Sequence, residues 1–237
     1  MTIKAVLFDL GGTLLDFNWE HPAEIYQRAL SSLGISKSFD EAKTAFLNAE
    51  KEAEDLNLFS SFGKMDQEEW GSQWGTLVLK HLGIENEELV RTVRSKWYGF
   101  ANFTLYPEAK DVLTELQQKG LKLGLVSNGY EEGIHRDLRE LNLEKSTFDI
   151  IVGVDTVQCM KPHPDIFKFA LRKLKVRPEE AMFVGDEIEL DYKGAKNVGM
   201  HALLIDRTEK QKQSGVRTIK NLKEILSQID GDFFRNS

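Results

Sequence analysis

The sequence predicts an α/β protein: a doubly wound, Rossmann-like parallel sheet with an α-helical cap domain inserted after the first strand. Two observations indicate the sheet. Short apolar runs rich in strand-forming residues recur along the chain, and amphipathic helical patterns separate them. A third observation indicates the inserted domain, because one long stretch holds helical patterns and no convincing strand.

The first strand is predicted at residues 3–8, an apolar run that ends at Asp9 and a Gly-Gly pair. Such a run is typical of a strand buried on both faces. Further strands are predicted at residues 121–126, 148–154, 181–184 and 201–205. Core helices are predicted at about residues 107–119, 131–142, 164–174, 188–198 and 219–229. Alternation of strand and helix implies that the strands run parallel, with their carboxyl ends at one edge.

Residues 16–103 interrupt this alternation and are predicted to form the helical cap domain, which leaves residues 1–15 and 104–237 as the core domain. Amphipathic helices are expected at about residues 22–33, 39–56, 66–82 and 86–100. The inserted stretch carries 9 basic and 15 acidic residues, whereas the remainder of the chain is almost neutral. This difference in charge supports a separate domain.

The composition excludes several classes of function. A net charge of −7 over 237 residues argues against a broad surface for nucleic acid or anionic membrane. Cys159 is the single cysteine, which excludes an internal disulfide and a cysteine-built metal site. No apolar run reaches the roughly 18 residues of a membrane span, and the one near the N-terminus is too short for a signal peptide. We therefore expect a cytoplasmic protein without nucleic-acid or membrane partners; the sequence does not predict its oligomeric state.

Four polar segments lie where predicted strands end, and ligands of open α/β sheets bind at the carboxyl ends of the strands. They are D-L-G-G-T at 9–13, S-N-G at 127–129, K-P at 161–162 and G-D-x-x-x-x-D at 185–191. One acid at a strand end is weak evidence for a site. Four segments of complementary chemistry in this order are much stronger evidence.

These segments resemble the four motifs of the haloacid dehalogenase-like (HAD) superfamily, and the resemblance covers nearly the whole chain. The stretch at residues 16–103 is similar to the α-helical cap that many members insert after the first motif. The resemblance implies a phosphatase that forms an aspartyl phosphate and uses Mg²⁺. The acidity of the inserted stretch favours a small phosphorylated metabolite over a large polyanion as substrate.

The resemblance implies that Asp9 is the nucleophile, because a carboxylate can attack phosphorus and split one difficult displacement into two easier ones. It also implies Mg²⁺ bound by Asp9, a backbone carbonyl near Gly11, and Asp186, since this ion prefers oxygen ligands. Asp191 would hold a metal-bound water or orient Asp186.

The remaining motif residues are expected to bind the phosphoryl group. Lys161 would neutralise that group and the Asp9 carboxylate. Ser127 and Asn128 would donate hydrogen bonds from their side chains, and the backbone N–H groups of Asn128 and Gly129 would add to them. Thr13 would offer its hydroxyl.

One position departs from the family pattern. Phosphatases of this family commonly carry a second aspartate two residues after the nucleophile, where it protonates the leaving oxygen and then activates water. Here that position is Gly11, so no side chain can perform the proton transfer there. Positioned proton transfer is typically worth about 10²–10⁴-fold in rate.

Several hypotheses remain open at this point. Asp16, Glu20 or His21 could supply the proton, or the reaction could be slow or limited to good leaving groups. A metal-independent 2-haloacid dehalogenase would use the same Asp9 on a carbon that bears halide, and a phosphonatase would use a lysine as a Schiff base (Lys37, Lys43, Lys51 and Lys64 are available). A protein that binds phosphate with little activity belongs to a different class. The pair Asp186 and Asp191 favours the magnesium-dependent phosphatase.

Overall fold

The computed structural model describes residues 2–17, 21–209 and 215–229, and the chain divides into two compact units. The first unit joins the chain up to Asp16 with the chain from Thr104 onward, and the second comprises Phe17–Phe103. Asp16, expected at the start of the inserted domain, belongs instead to a strand of the first unit.

The strands found in the described parts of the chain lie in the first unit. They are β1 Ala5–Phe8, β2 Leu15–Asp16, β3 Thr104–Leu105, β4 Lys122–Val126, β5 Ile150–Val152, β6 Ala181–Gly185, β7 His201–Ile205 and β8 Thr218–Ile219. Six of them form a parallel sheet in the order β5-β4-β1-β6-β7-β8, while β2 and β3 form an antiparallel pair. This sheet confirms the predicted fold class.

The helices flank the sheet in the first unit and make up the second unit. They are α1 Ala23–Ser31, α2 Phe39–Asp55, α3 Gln67–His81, α4 Glu87–Ala101, α5 Ala109–Gln118, α6 Glu131–Glu140, α7 Val154–Val157, α8 Pro164–Leu174, α9 Gly194–Asn197 and α10 Glu224–Ser227. Short 3₁₀ turns lie at Leu58–Ser61, Lys145–Thr147 and Pro178–Glu180, and a π-helical turn lies at Ile188–Lys193. None of the helices described has the length and apolar character of a membrane span.

The central strand β1 explains why the apolar runs become strands. All four of its residues are fully buried, because it pairs with β4 on one side and β6 on the other. Phe8 is in register with Leu125 of β4 and Val184 of β6. The segments that follow β1, β4 and β6 therefore start side by side. The chain continues from β1 to one side of the sheet through β4 and β5 and to the other side through β6 and β7, and ligands of open α/β sheets bind at such a point.

Two predicted helices are wrong in detail. The one expected at 219–229 gives way to β8 and the short α10, because Ile219 pairs with Ile205 of β7 and is buried there. The one expected at 188–198 is a π-helical turn followed by α9. Periodicity does not distinguish a π-helical turn from an α-helix over so few residues.

In its described residues the second unit holds the four helices α1–α4, which pack around a core of their own. Three of its helices begin at side chains that accept backbone hydrogen bonds, namely Ser38, Asp66 and Asn86. Its aromatic residues pack against each other; the rings of Phe46 and Trp74 lie 4.9 Å apart, edge to face. Tyr26 and Phe46 lie in this core among aliphatic residues, and Trp70, Trp74 and Trp97 pack against it.

The buried face of α8 packs against the sheet, and this contact yields a stability prediction. Phe167 is fully buried and its ring packs edge to face against Phe183 of β6, 5.2 Å away. Replacing Phe167 with Ala should cost about 3–5 kcal/mol in the free energy of unfolding. F169A, on the same helix at a half-buried position, is the matched control and should cost much less. Urea unfolding followed by far-UV circular dichroism measures both, and equal losses would contradict the packing described.

Candidate active site

The first part of the site is the loop after β1. The backbone N–H of Asp9 donates to the carbonyl of Val184 in β6, 2.9 Å away, so the residue stays attached to the sheet beyond the end of β1. Its side chain is buried. The loop then closes on itself, because the N–H groups of Leu14 and Leu15 both donate to the carbonyl of Leu10.

Gly12 allows this loop to approach the end of β6. Its φ of +70° favours glycine, and a Cβ atom here would collide with the carboxylate of Asp186. Gly185 has the same function for Asp191, whose carboxylate occupies the space that a Cβ of Gly185 would need. Two glycines thus let three acidic side chains come together.

The π-helical turn places Asp191 in the site. Its N–H donates to the carbonyl of Glu187, and its Oδ2 accepts from the N–H of Glu187, 3.0 Å away. Its Oδ1 accepts from Nζ of Lys161 at 2.6 Å. Both carboxylate oxygens of this almost fully buried residue (1% exposed) are therefore engaged by the protein.

Lys161 is the positive charge of the site. Its Nζ donates to Oδ1 of Asp9 as well as to Asp191, both at 2.6 Å, and the residue is buried. Its backbone is held by the side chain of Asn128, whose Oδ1 accepts from the Lys161 N–H at 2.7 Å and whose Nδ2 donates to the Lys161 carbonyl at 3.2 Å.

These bonds change the expectation for the second motif. The side-chain amide of Asn128, expected to donate to a phosphoryl group, binds the backbone of Lys161 instead. The N–H of Gly129, another expected donor, points to Oγ of Ser127 at 3.2 Å. Since Oγ accepts that bond, the hydroxyl proton of Ser127 remains available to a ligand.

Thr13 lies in the first loop with its hydroxyl turned inward. The residue is fully buried, and its Oγ1 has no hydrogen-bond partner within the described parts of the chain. A buried hydroxyl is normally hydrogen-bonded. The arrangement fits a group that receives a ligand oxygen.

The structure thus brings together most of the predicted site residues. Asp9, Asp186 and Asp191 each offer a carboxylate oxygen within 4.8 Å of the others. Gly11 lies in the same loop and pairs with Leu15 in a single β-bridge, formed by hydrogen bonds between the backbone of Leu15 and the backbones of Leu10 and Gly12. Among the alternative proton donors, Oδ1 of Asp16 accepts from the hydroxyl of Tyr106, and Nδ1 of His21 accepts from the N–H of Ala23. Glu20 lies outside the described residues.

Three carboxylates and one ammonium group leave an excess of negative charge in a buried place. Burial, reinforced by the negative charge of Asp191 and only partly offset by Lys161, raises the pKa of Asp9 to about 6. Burial and the charges of Asp9 and Asp191 raise the pKa of Asp186 to about 7. Although burial opposes it, the attraction of Asp9 and Asp191 holds the pKa of Lys161 above its ordinary value. A cluster of hard oxygen donors with this excess charge fits a divalent cation such as Mg²⁺.

The sequence does not predict one residue that holds the first loop of the site in place. Arg207, after β7, donates from Nη2 to the carbonyl of Thr13 (3.0 Å) and from Nη1 to Glu108 (2.7 Å), and its guanidinium carbon lies 3.3 Å from the centre of the Tyr106 ring. It therefore ties the first loop to the start of α5. No sequence signal marks it, because Arg207 and Thr13 are 194 positions apart.

Comparison with known proteins agrees with this geometry. Residues 3–199 match the family model described as haloacid dehalogenase-like hydrolase. The chain is 30% identical over 215 residues to "Haloacid dehalogenase-like hydrolase domain-containing protein 3" of Xenopus laevis, covering 86% of this chain and 85% of that one. It is 28% identical over 242 residues to the glyceraldehyde 3-phosphate phosphatase of Methanocaldococcus jannaschii, covering 94% of this chain and 99% of that one.

A solved structure is similar over nearly the full length. The crystal structure of an HAD phosphatase from Thermococcus onnurineus aligns with a TM-score of 0.65 at 30% identity, over 97% of this chain and 99% of that one. The family match spans well over half of the chain. The protein therefore belongs to the haloacid dehalogenase-like hydrolases and is an enzyme of that class, with phosphatases among its relatives.

The charge balance yields a prediction about Lys161. In K161M the buried carboxylates lose their counter-charge, which should cost about 3–5 kcal/mol of unfolding free energy at pH 8. The loss should be smaller at pH 5, because carboxyl groups with raised folded-state pKa values bind protons in the folded protein there and become neutral. K168M, at an exposed position of α8, is the control. Urea unfolding with chelator present measures both variants, and a loss independent of pH would contradict the charge balance described.

Proposed function

We propose that this protein is a Mg²⁺-dependent phosphatase that hydrolyses a small phosphorylated metabolite through an aspartyl phosphate formed on Asp9. The convergence of Asp9, Asp186 and Asp191, with Lys161 between two of them, is the observation that carries the proposal. The phosphatase relatives support the reaction class. We also propose a cytoplasmic enzyme that acts without nucleic-acid or membrane partners.

Asp9 performs the chemical step. Its carboxylate attacks phosphorus, the bond from phosphorus to the leaving oxygen breaks, and an acyl phosphate remains on the side chain until water displaces it. The hydrogen bond from the Asp9 N–H to the carbonyl of Val184 fixes the backbone, and the Lys161 ammonium holds the carboxylate in position. Burial excludes competing water from the nucleophile.

The metal would be held by Asp9, the backbone carbonyl of Gly11, and Asp186. When bound, Mg²⁺ would supply the positive charge that lets an anionic carboxylate approach an anionic phosphate. Since Lys161 and the N–H of Glu187 engage both oxygens of Asp191, we assign Asp191 to orienting the ammonium and the metal site.

The phosphoryl oxygens would be bound by three groups. Lys161 neutralises their charge, and the hydroxyls of Ser127 and Thr13 donate hydrogen bonds to them. The buried Oγ1 of Thr13, which has no hydrogen-bond partner among the residues described, supports this assignment. The side chain of Asn128 contributes indirectly, because it positions the backbone of Lys161.

The activity assay separates this function from its alternatives. Hydrolysis of 4-nitrophenyl phosphate should require Mg²⁺ and should fall by at least about 10³-fold in D9N, because the nucleophile is lost. D111N, at an exposed position of α5, should leave the rate unchanged. Halide release from a 2-haloacid without metal would support the dehalogenase instead, and phosphate binding without turnover would support the weakly active binding protein.

The metal site can be tested without activity. Adding Mg²⁺ should raise the melting temperature of the wild type, and the rise should be larger at pH 8 than at pH 5. At pH 5 the carboxyl groups of Asp9 and Asp186, with raised pKa values of about 6 and 7, bind protons that compete with the metal. D186N should lose most of the rise, whereas D111N should keep it. A shift of equal size in D186N would remove Asp186 from the metal site.

A further inference from the structure

Arg207 follows β7 and reaches the loop that carries Asp9. Because β7 runs parallel to β6, Arg207 starts at the same edge of the sheet as the candidate active site. Its Nη2 donates to the backbone carbonyl of Thr13, 3.0 Å away. The guanidinium therefore binds the backbone of a residue whose hydroxyl belongs to the proposed phosphoryl site.

The guanidinium is itself held by two further contacts. Its Nη1 donates to Oε1 of Glu108 at 2.7 Å, and its carbon lies over the ring of Tyr106, 3.3 Å from the ring centre. The side chains of Arg207 and Glu108 are only 19% and 13% exposed, so the ion pair is largely shielded from solvent. Although burial opposes it, the hydrogen bond from Arg207 holds the pKa of Glu108 below its ordinary value, which keeps the pair charged at neutral pH.

Arginine has the chemistry that this position needs. Its guanidinium is planar and offers donors in fixed directions, so one group binds a carboxylate and a backbone carbonyl at the same time. The face of the same group packs on an aromatic ring. Arg207 uses all three contacts, and its position relative to Thr13 is therefore well defined.

The neighbours of Thr13 in the loop have attachments of their own. The N–H of Tyr106 donates to the carbonyl of Leu14 at 3.0 Å, and its hydroxyl donates to Oδ1 of Asp16 at 3.2 Å. These bonds do not involve the side chain of Arg207. Removal of that side chain is therefore expected to act on the backbone of Thr13.

Thr13 is a residue at which a small displacement has chemical consequences. It is fully buried, and its Oγ1 has no hydrogen-bond partner among the residues described. The carbonyl that Arg207 binds and the hydroxyl belong to one residue, so a shift of the backbone moves the hydroxyl with it. A misplacement of about 1 Å can cost about 10²-fold in rate.

We propose that Arg207 is a positioning residue for phosphoryl transfer. It fixes the backbone of Thr13 so that the Thr13 hydroxyl donates to a phosphoryl oxygen, and it acts through Thr13 without touching the substrate. The inference rests on the proposed function and adds to it a residue outside the four polar segments. The nucleophile is held separately, because Asp9 binds the carbonyl of Val184 and the ammonium of Lys161.

A double-mutant cycle between Arg207 and Thr13 tests the proposal. R207M removes the donors of the guanidinium, and T13V keeps the shape of the side chain and removes the hydroxyl. With Mg²⁺ and 4-nitrophenyl phosphate, each single change should lower kcat/KM by about 10–10²-fold, because a donor to the phosphoryl group is misplaced or lost. In the T13V background, R207M should cost no more than about threefold further. Equal losses from R207M in both backgrounds would overturn the proposal, since Arg207 would then act independently of the Thr13 hydroxyl.

A second measurement separates positioning from a general loss of structure. The rise in melting temperature on addition of Mg²⁺ should be the same in R207M as in the wild type, because Asp9 and Asp186 keep their places. Loss of that rise would overturn the proposal, because Arg207 would then be needed for the whole site. R207K keeps a positive charge opposite Glu108 and lacks the planar group, so it replaces R207M in both measurements if R207M does not fold.

R177M is the matched control for the loss of an arginine ion pair. Arg177 pairs with Glu180 at 3.2 Å, and its side chain is 69% exposed. The residue precedes β6 and therefore lies at the edge of the sheet opposite the candidate site. Its replacement should leave kcat/KM unchanged.

The proposed function and this inference fail by different results. Turnover of 4-nitrophenyl phosphate that persists in D9N rejects the aspartyl phosphate, and the inference falls with it. Turnover that is lost in D9N, combined with equal losses from R207M in both backgrounds, supports the phosphatase and rejects the role of Arg207.

Discussion

The ammonium of Lys161 between Asp9 and Asp191 is the interaction on which the rest of the site depends. Bringing three carboxylates together in a buried place is unfavourable, because each loses hydration and repels the others. Two charge-assisted hydrogen bonds of 2.6 Å offset part of that cost. The compensation is incomplete, which is why the pKa values of Asp9 and Asp186 stay well above the ordinary range. This residual negative charge fits a divalent cation.

The surroundings of Lys161 are arranged to hold that ammonium in place. Asn128, which follows β4, binds the N–H and the carbonyl of Lys161 with its side-chain amide. The π-helical turn after β6 carries Asp191, which accepts a hydrogen bond from the Lys161 ammonium. These two hydrogen bonds of the Asn128 amide restrain the backbone of Lys161. Polar residues at the ends of β1, β4 and β6 thus act on one another, and the parallel register of these strands brings them into reach.

Much of this could be predicted from the sequence, for a physical reason. A strand buried on both faces must be apolar throughout, so β1, β4, β6 and β7 are visible as runs. The residues that follow β1, β4 and β6 are visible as motifs. β8 is not visible in this way, because two residues that pair with β7 leave no pattern of their own. The π-helical turn is likewise hidden within a helical periodicity. The partners of Asn128 and Arg207 lie 33 and 194 positions away, so their contacts exist only in three dimensions.

The strand pair β2–β3 has a consequence for the evolution of this chain. Asp16 is paired with Thr104, so the two ends of the intervening segment leave the sheet-bearing unit as neighbours. A segment of any length whose termini lie one strand spacing apart can be accommodated there without moving the loop that carries Asp9. The sheet-bearing unit can therefore exchange its insert as a module, and diversification of the insert need not disturb the cluster of Asp9, Asp186 and Asp191.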